Sequence, residues 1–167
     1  GARRMTPGER LGWWVAPVQP GDDGRYAFRI DGGDPRPDPR SLSQPDGVHD
    51  ASALVDLSAY AWGDGDWTGH HLQGAVLYEL HVGTFTAEGT LEAAVERLDH
   101  LVDLGVTMVS LLPVAAFPGR HGWGYDGVAL FAVHEPYGGA HAPTQTQGTP
   151  PPGGAHAGTP SPRAERG

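Results

Sequence analysis

Apolar positions change period twice between Ala75 and Gly139, and the changes predict a strand, a helix and a second strand in that order. The runs AVLYELHV (75–82) and VTMVSLLPV (106–114) are nearly continuous in apolar residues, the pattern of parallel strands covered on both faces. Between them Leu91, Ala94, Val95, Leu98, Leu101, Val102 and Leu104 keep a three-and-four spacing, with Glu92, Glu96, Arg97, Asp99 and Asp103 outside the stripe. The spacing predicts one helix over 90–105, with Thr90 as its N-cap and Gly105 as the left-handed residue that ends it. Strand, helix and strand then form a right-handed βαβ unit. This is the opening of a (β/α)8 barrel, whose closure takes eight such strands.

Upstream the pattern is shorter in range. Two β-prone runs, 13–18 and 25–31, flank PGDDG and predict a hairpin that places Tyr26, Phe28 and Ile30 on one face. A lone hairpin is marginal in water, so it belongs to a larger β domain, of which this chain holds a part. Residues 33–50 carry four prolines and read as extended, irregular linker. One more short strand is expected at 53–56, and Trp62 and Trp67, around an acidic turn, are expected to cover the seam between the β part and the barrel.

The pattern stops after Gly139. Residues 140–167 contain no large apolar residue but six prolines and five glycines, so a disordered tail is expected. The fold class is thus α/β with an all-β N-terminal part. Residues 1–60 form a partial β-sandwich and Pro-rich linker, 61–139 the start of an incomplete barrel, and 140–167 the tail. Gly1 as first residue, with Met5 the only early methionine, reads as a clipped beginning.

Composition narrows the function. A net charge of −9 argues against nucleic acid and anionic membrane as partners, and the eleven basic residues are all Arg. The absence of cysteine excludes disulfides, thiolate chemistry and Cys-ligated zinc. With no long apolar run and no basic-then-apolar leader in the sequence, a cytoplasmic protein is expected. No cofactor is expected. No metal is either: none of the nine histidines pairs at helical i, i+4 spacing around a catalytic Glu.

Functional groups in parallel barrels stand at the C-terminal ends of strands and in the loops after them. That rule selects Glu79, His81 and Thr84 after the first strand, and His121, Trp123, Tyr125 and Asp126 in the loop HGWGYDG (121–127) after the second. Aromatic rings beside polar groups suit a sugar, whose C–H face packs on a ring while its hydroxyls take hydrogen bonds. Trp and Tyr in a Gly-rich loop also serve as packing anchors, and the residues leave both readings open. A retaining glycosidase needs two carboxyl groups about 5–5.5 Å apart. Glu79, Asp126 and Glu135 are the candidates, and their spacing favours no pair.

Three segments carry a resemblance: DPRSLSQPDGVHDAS (38–52), GAVLYELHVGTFTAEGTLEAAVERLDHLVDLGV (74–106) and SLLPVAAFPGRHGWGYDGVALFAVHEPYGG (110–139). Over roughly residues 10–139 the chain resembles the malto-oligosyltrehalose trehalohydrolase family, within the α-amylase family of glycoside hydrolases. The LLPV strand is shared more widely, glycogen-branching enzymes included. The resemblance implies an N-terminal β-sandwich, a catalytic barrel, and hydrolysis of the α-1,4 bond next to a terminal trehalosyl unit, releasing trehalose, by a retaining double displacement without an obligatory metal. It also implies a maltooligosyltrehalose or related α-glucan as partner, with Tyr125 packed against the attacked sugar and Asp126, Trp123, His81 and Glu79 as further substrate-binding residues.

The departure from the family is that its catalytic Asp, Glu and Asp, and the D-x-x-x-N-H motif before them, do not occur in this sequence. A frameshift or early stop after about Gly139 is the expected cause. Three readings result: a trehalohydrolase fragment inactive alone, a non-catalytic glucan-binding module built on Trp13, Trp14, Trp62 and Trp67, or an unstable polypeptide without function.

Overall fold

The structure is a computed structural model and describes residues 1–19 and 23–141. The disorder expected of the tail lies outside these residues except at its start, where Gly139–His141 forms a 3-10 turn. Among the described residues strands pair only in twos, and no helix is long and apolar enough to cross a membrane.

The N-terminal part departs from the expected hairpin. β1 (Thr6–Pro7) pairs antiparallel with β2 (Trp14–Val15), while β3 (Arg25–Tyr26) pairs antiparallel with β4 (Ser52–Ala53). The runs on either side of PGDDG therefore do not pair with each other. The distant partner offers β3 more than a local hairpin would. Ser52 is fully buried and donates to Gln44 Oε1, the Asp38 amide donates to Ser52 Oγ at 2.9 Å, and Arg25 meets Asp46 at 2.7 Å. Tyr26 donates its hydroxyl to Asp38 at 2.8 Å and touches Phe28 edge-on, but Ile30 is exposed, so the expected three-residue face is not formed.

The Pro-rich stretch 33–50 is irregular, as expected, but it is not a free spacer. Ser41, Ser43 and Gln44 are buried in hydrogen bonds. Val48 packs with Ala116, Ala129 and Ala132, and Arg40 lies over the Phe131 ring. The strand expected at 53–56 ends at Ala53, and Asp56 instead caps a 3-10 turn at Leu57–Ala59. Trp62 and Trp67 are 65% and 74% exposed, so neither covers a seam.

The βαβ unit is present with shorter elements. β5 (Leu77–Leu80) and β6 (Met108–Leu111) pair in parallel, with Leu77 opposite Met108 and Leu80 opposite Leu111. β5 stops two residues early, because Val82–Phe85 turns into one helical turn, α1. The expected helix is two helices, α2 (Leu91–Val95) and α3 (Leu98–Asp103), broken where Arg97 leaves helical geometry (φ −105, ψ 5). Across the break the amides of Arg97 and His100 reach the carbonyls three residues back rather than four.

Both helix ends agree with the sequence. Thr90 accepts the Ala93 amide at 3.2 Å. At Gly105 (φ +85) the chain closes a Schellman motif, with Gly105 N–H to Val102 O and Val106 N–H to Leu101 O, each 2.9 Å.

Beyond β6 lies a pair the periodicity did not indicate: β7 (Ala115–Ala116) runs antiparallel to β8 (Ala129–Val133) with a bulge between its two residues. The larger core cluster, Leu80, Val82, Leu101, Phe117 and Tyr137, joins the βαβ unit to the residues just beyond β7 and β8. Truncating Leu80 or Leu101 to Ala is expected to cost about 2–5 kcal/mol.

Candidate functional site

The end of β5 delivers His81. It stands at the N-cap of α1 in extended geometry and makes no side-chain cap bond, so its imidazole is available to reach across to the loop after β7. Nε2 lies 2.8 Å from Gly122 O. A carbonyl can only accept, so Nε2 carries the proton, and in the neutral ring Nδ1 faces the Thr84 hydroxyl at 3.2 Å as an acceptor. Gly122 O also accepts the Tyr137 hydroxyl at 3.4 Å. Trp123 and Tyr137 meet the same imidazole in T-shaped contacts, with centroids 5.0 and 6.1 Å away.

Loop backbone and glycines permit this approach. A Cβ on Gly122 would come within 2.9 Å of the Phe117 ring, and Gly124 (φ +82) turns where a Cβ would overlap the Pro113 carbonyl. Because β7 and β8 hold both ends of segment 117–128, the loop is closed at its base.

The cleft beside His81 has a volume of about 820 Å³, and Glu79, His81, Thr84, Phe85, His100 and Trp123 are among its walls. The structure thus brings together three of the five expected binding residues, Glu79, His81 and Trp123. Tyr125, 72% exposed, and Asp126, also exposed, lie further along the loop and do not line this cleft.

Glu79 and Glu135 line separate clefts. Among the described residues no group of three or more His, Cys, Asp or Glu is placed to hold a metal.

Two participants escaped the sequence reading. Tyr137, 3% exposed, sits in the 3-10 turn Glu135–Tyr137, and burial raises its hydroxyl pKa. His134, also 3% exposed, stacks on Phe117 at 3.7 Å, and burial holds its imidazole below the usual histidine range. The only sequence signal for either was the turn chemistry of HEPYGG, which does not say what the turn packs against.

No family model matches the chain. It is 61% identical over 135 residues to malto-oligosyltrehalose trehalohydrolase of Arthrobacter ramosus, a match covering 78% of this chain and 23% of the relative. The chain is homologous to the malto-oligosyltrehalose trehalohydrolases. The trehalohydrolase of Rhizobium sp. (strain M-11) is 55% identical over 133 residues, covering 78% of this chain and 22% of its own length. A Salmonella typhimurium protein whose crystal structure carries the description alpha amylase superposes with a TM-score of 0.72 at 44% identity, over 81% of this chain and 23% of that one. The chain therefore spans less than a quarter of the trehalohydrolases and of the alpha-amylase structure that it matches.

Proposed function

We propose that this chain is the N-terminal part of a malto-oligosyltrehalose trehalohydrolase, a glycoside hydrolase of the α-amylase family acting in trehalose biosynthesis. The 61% identity to the Arthrobacter relative carries the reading. In it, residues 1–60 are a partial β-sandwich domain with its linker, and residues 61–139 open a (β/α)8 barrel with β5 and β6 as its first strands. The parallel β5–β6 ladder with a helical crossover supports that assignment. The same reading puts the protein in the cytoplasm, and a chain without cysteine does not depend on an oxidising compartment.

His81 and Trp123 then stand at the C-terminal mouth of the barrel, where such folds hold their ligands. We assign Glu79, His81 and Trp123 to a subsite for the α-glucan part of a maltooligosyltrehalose, with Tyr125 and Asp126 on the same loop reaching the sugar from solvent. The Trp123 ring supports this assignment, since it is 64% exposed beside His81 and an exposed aromatic ring offers a surface for a pyranose.

Hydrolysis of the α-1,4 bond next to the trehalosyl unit takes a nucleophile and an acid, and the D-x-x-x-N-H motif that precedes those groups in the family does not occur in this sequence, although Glu79 and Glu88 both line the His81 cleft. Binding without turnover is the expected behaviour. Titration with maltotriosyltrehalose tests it: tryptophan emission should change saturably in the native chain and not in Trp123→Ala, and no trehalose should appear. Trehalose release by the purified chain, or an emission change that survives Trp123→Ala, would sink the reading.

Exposure of Trp13, Trp14, Trp62 and Trp67 favours a second reading, a glucan-binding module independent of the barrel loop. In that case Trp62→Ala, rather than Trp123→Ala, abolishes the emission change.

A further inference from the structure

Five Asp–Gly pairs occur in this sequence, at Asp23, Asp31, Asp46, Asp64 and Asp126, and no Asn occurs. Asp–Gly is the pair at which a chain rearranges by itself, because a residue without a Cβ leaves its amide free to reach the carboxyl carbon of the preceding side chain. The fold treats the five pairs differently.

Three are restrained. Asp23 accepts the Arg25 amide on Oδ1 at 2.9 Å, and the Gly24 carbonyl accepts the Leu54 amide at 2.8 Å. Asp46 is held by Arg25 at 2.7 Å, and the Gly47 amide, the group that would attack, donates to Gln44 O at 3.2 Å. A Cβ on Gly127 would lie 3.2 Å from Ala115 and 3.3 Å from Leu130, and the next amide, of Val128, is fixed on Ala116 O at 2.9 Å.

Asp31 and Asp64 lack such restraint. Both are exposed, their carboxylates meet no partner among the described residues, and the amides of Gly32 and Gly65 make no hydrogen bond there. One backbone bond closes each turn, Gly33 N–H to Ile30 O and Trp67 N–H to Asp64 O, both 2.9 Å, and the Arg29 side chain adds a bond to Gly33 O. Nothing stands within 4 Å of a Cβ built on Gly32 or Gly65, so the backbone has room to turn. Asp31 carries a further load. At φ +50 it is the one described residue other than glycine in the left-handed region, and a peptide linked through its side chain is free of that restriction.

We propose that Asp31 and Asp64 are modification sites at which the folded chain converts aspartate to isoaspartate. The glycine nitrogen attacks Cγ of the protonated carboxyl, an N–C bond forms as a C–O bond breaks, and the amide proton departs with the hydroxyl as water. Water then adds to the α-carbonyl of the resulting succinimide and breaks its bond to that nitrogen. The peptide is left linked through Cγ, with a free α-carboxyl group. Composition and oxidation state are unchanged, and water is the only co-reactant. Neither aspartate lines the His81 cleft, so the conversion is independent of what that cleft binds.

The test is to age the whole chain at neutral pH, natively and in guanidinium chloride, and to locate isoaspartate by electron-transfer fragmentation of its peptides. In the native chain Asp31 and Asp64 should convert at least about tenfold faster than Asp23, Asp46 and Asp126, which react only from locally opened states. Guanidinium should bring the five rates together by releasing the restrained pairs. Gly65→Ala, at a position with open space, should slow conversion at Asp64 several-fold and leave Asp31 as it was. The proposal is overturned by a silent Asp31 or Asp64, by a restrained pair that keeps pace with them, by an order that survives in guanidinium, or by a Gly65→Ala chain that converts at the native rate.

Discussion

The His81 imidazole donates to the Gly122 carbonyl at 2.8 Å across 41 positions of sequence, tying the end of β5 to the loop that carries Trp123. A side chain on a ladder end thus sets the position of a loop built from another strand pair. His81→Ala removes the donor and leaves the Tyr137 hydroxyl alone on that carbonyl at 3.4 Å. We expect a loss of about 1–2 kcal/mol in urea unfolding. Near-UV dichroism should weaken as Trp123 loses its edge contact, while His81→Gln, which keeps an N–H donor, restores part of both.

Gly124 answers to a harder constraint, since its φ of +82 and the overlap of any Cβ with the Pro113 carbonyl act together. Gly124→Ala should cost at least about 2 kcal/mol. Gly119→Ala, also at positive φ but with open space around the Cβ, should cost only about 1 kcal/mol. Equal losses in the two variants would remove steric overlap as the cause.

Stability should fall at both ends of the pH scale, for different residues. Burial, and then the hydrogen bond and charge of Asp38, push Tyr26 from 10.0 to about 12. The folded chain favours the neutral phenol, so this contribution is whole below pH 10 and is lost as pH rises towards 12. Tyr26→Phe should flatten the alkaline limb of a plot of urea midpoint against pH.

At the acid end the sign is opposite in charge but the cause is the same. Burial lowers the His134 pKa from 6.5, partly offset by a hydrogen bond to the Arg120 backbone and aided by the Arg120 charge, so the fold favours neutral imidazole. Its contribution is present above 6.5 and is lost as pH falls below that value towards the depressed one. His134→Phe should remove this part of the acid limb and leave the alkaline limb as it was.

Thr90 and Gly105 were legible because caps are local: a hydroxyl three residues from an amide, and a residue free to take positive φ. Thr90→Ala should therefore cost about 1 kcal/mol. The parallel pairing of β5 and β6 was legible for a related reason, since a strand, a crossover and a strand admit one handedness. What failed was pairing at a distance. PGDDG has the residues of a tight turn, but Ser52 brings a buried hydroxyl to β3, and nothing near position 25 announces it. The break at Arg97 has no Gly or Pro to mark it. In the site, His81 and Trp123 were found by their place after strands, whereas Tyr137 arrives through a turn whose neighbours are set by packing alone.

Leu77, Val109 and Leu111 on the parallel ladder, with Leu130 and Phe131 on β8, are all exposed. Oily side chains so arranged make a solution of this chain sticky, and the first casualty is the sugar titration rather than the fold. Self-association would bury the very tryptophans whose emission reports sugar, so each titration carries an implicit dilution series. An emission change that fades on tenfold dilution would measure chains meeting chains, not sugar meeting chain.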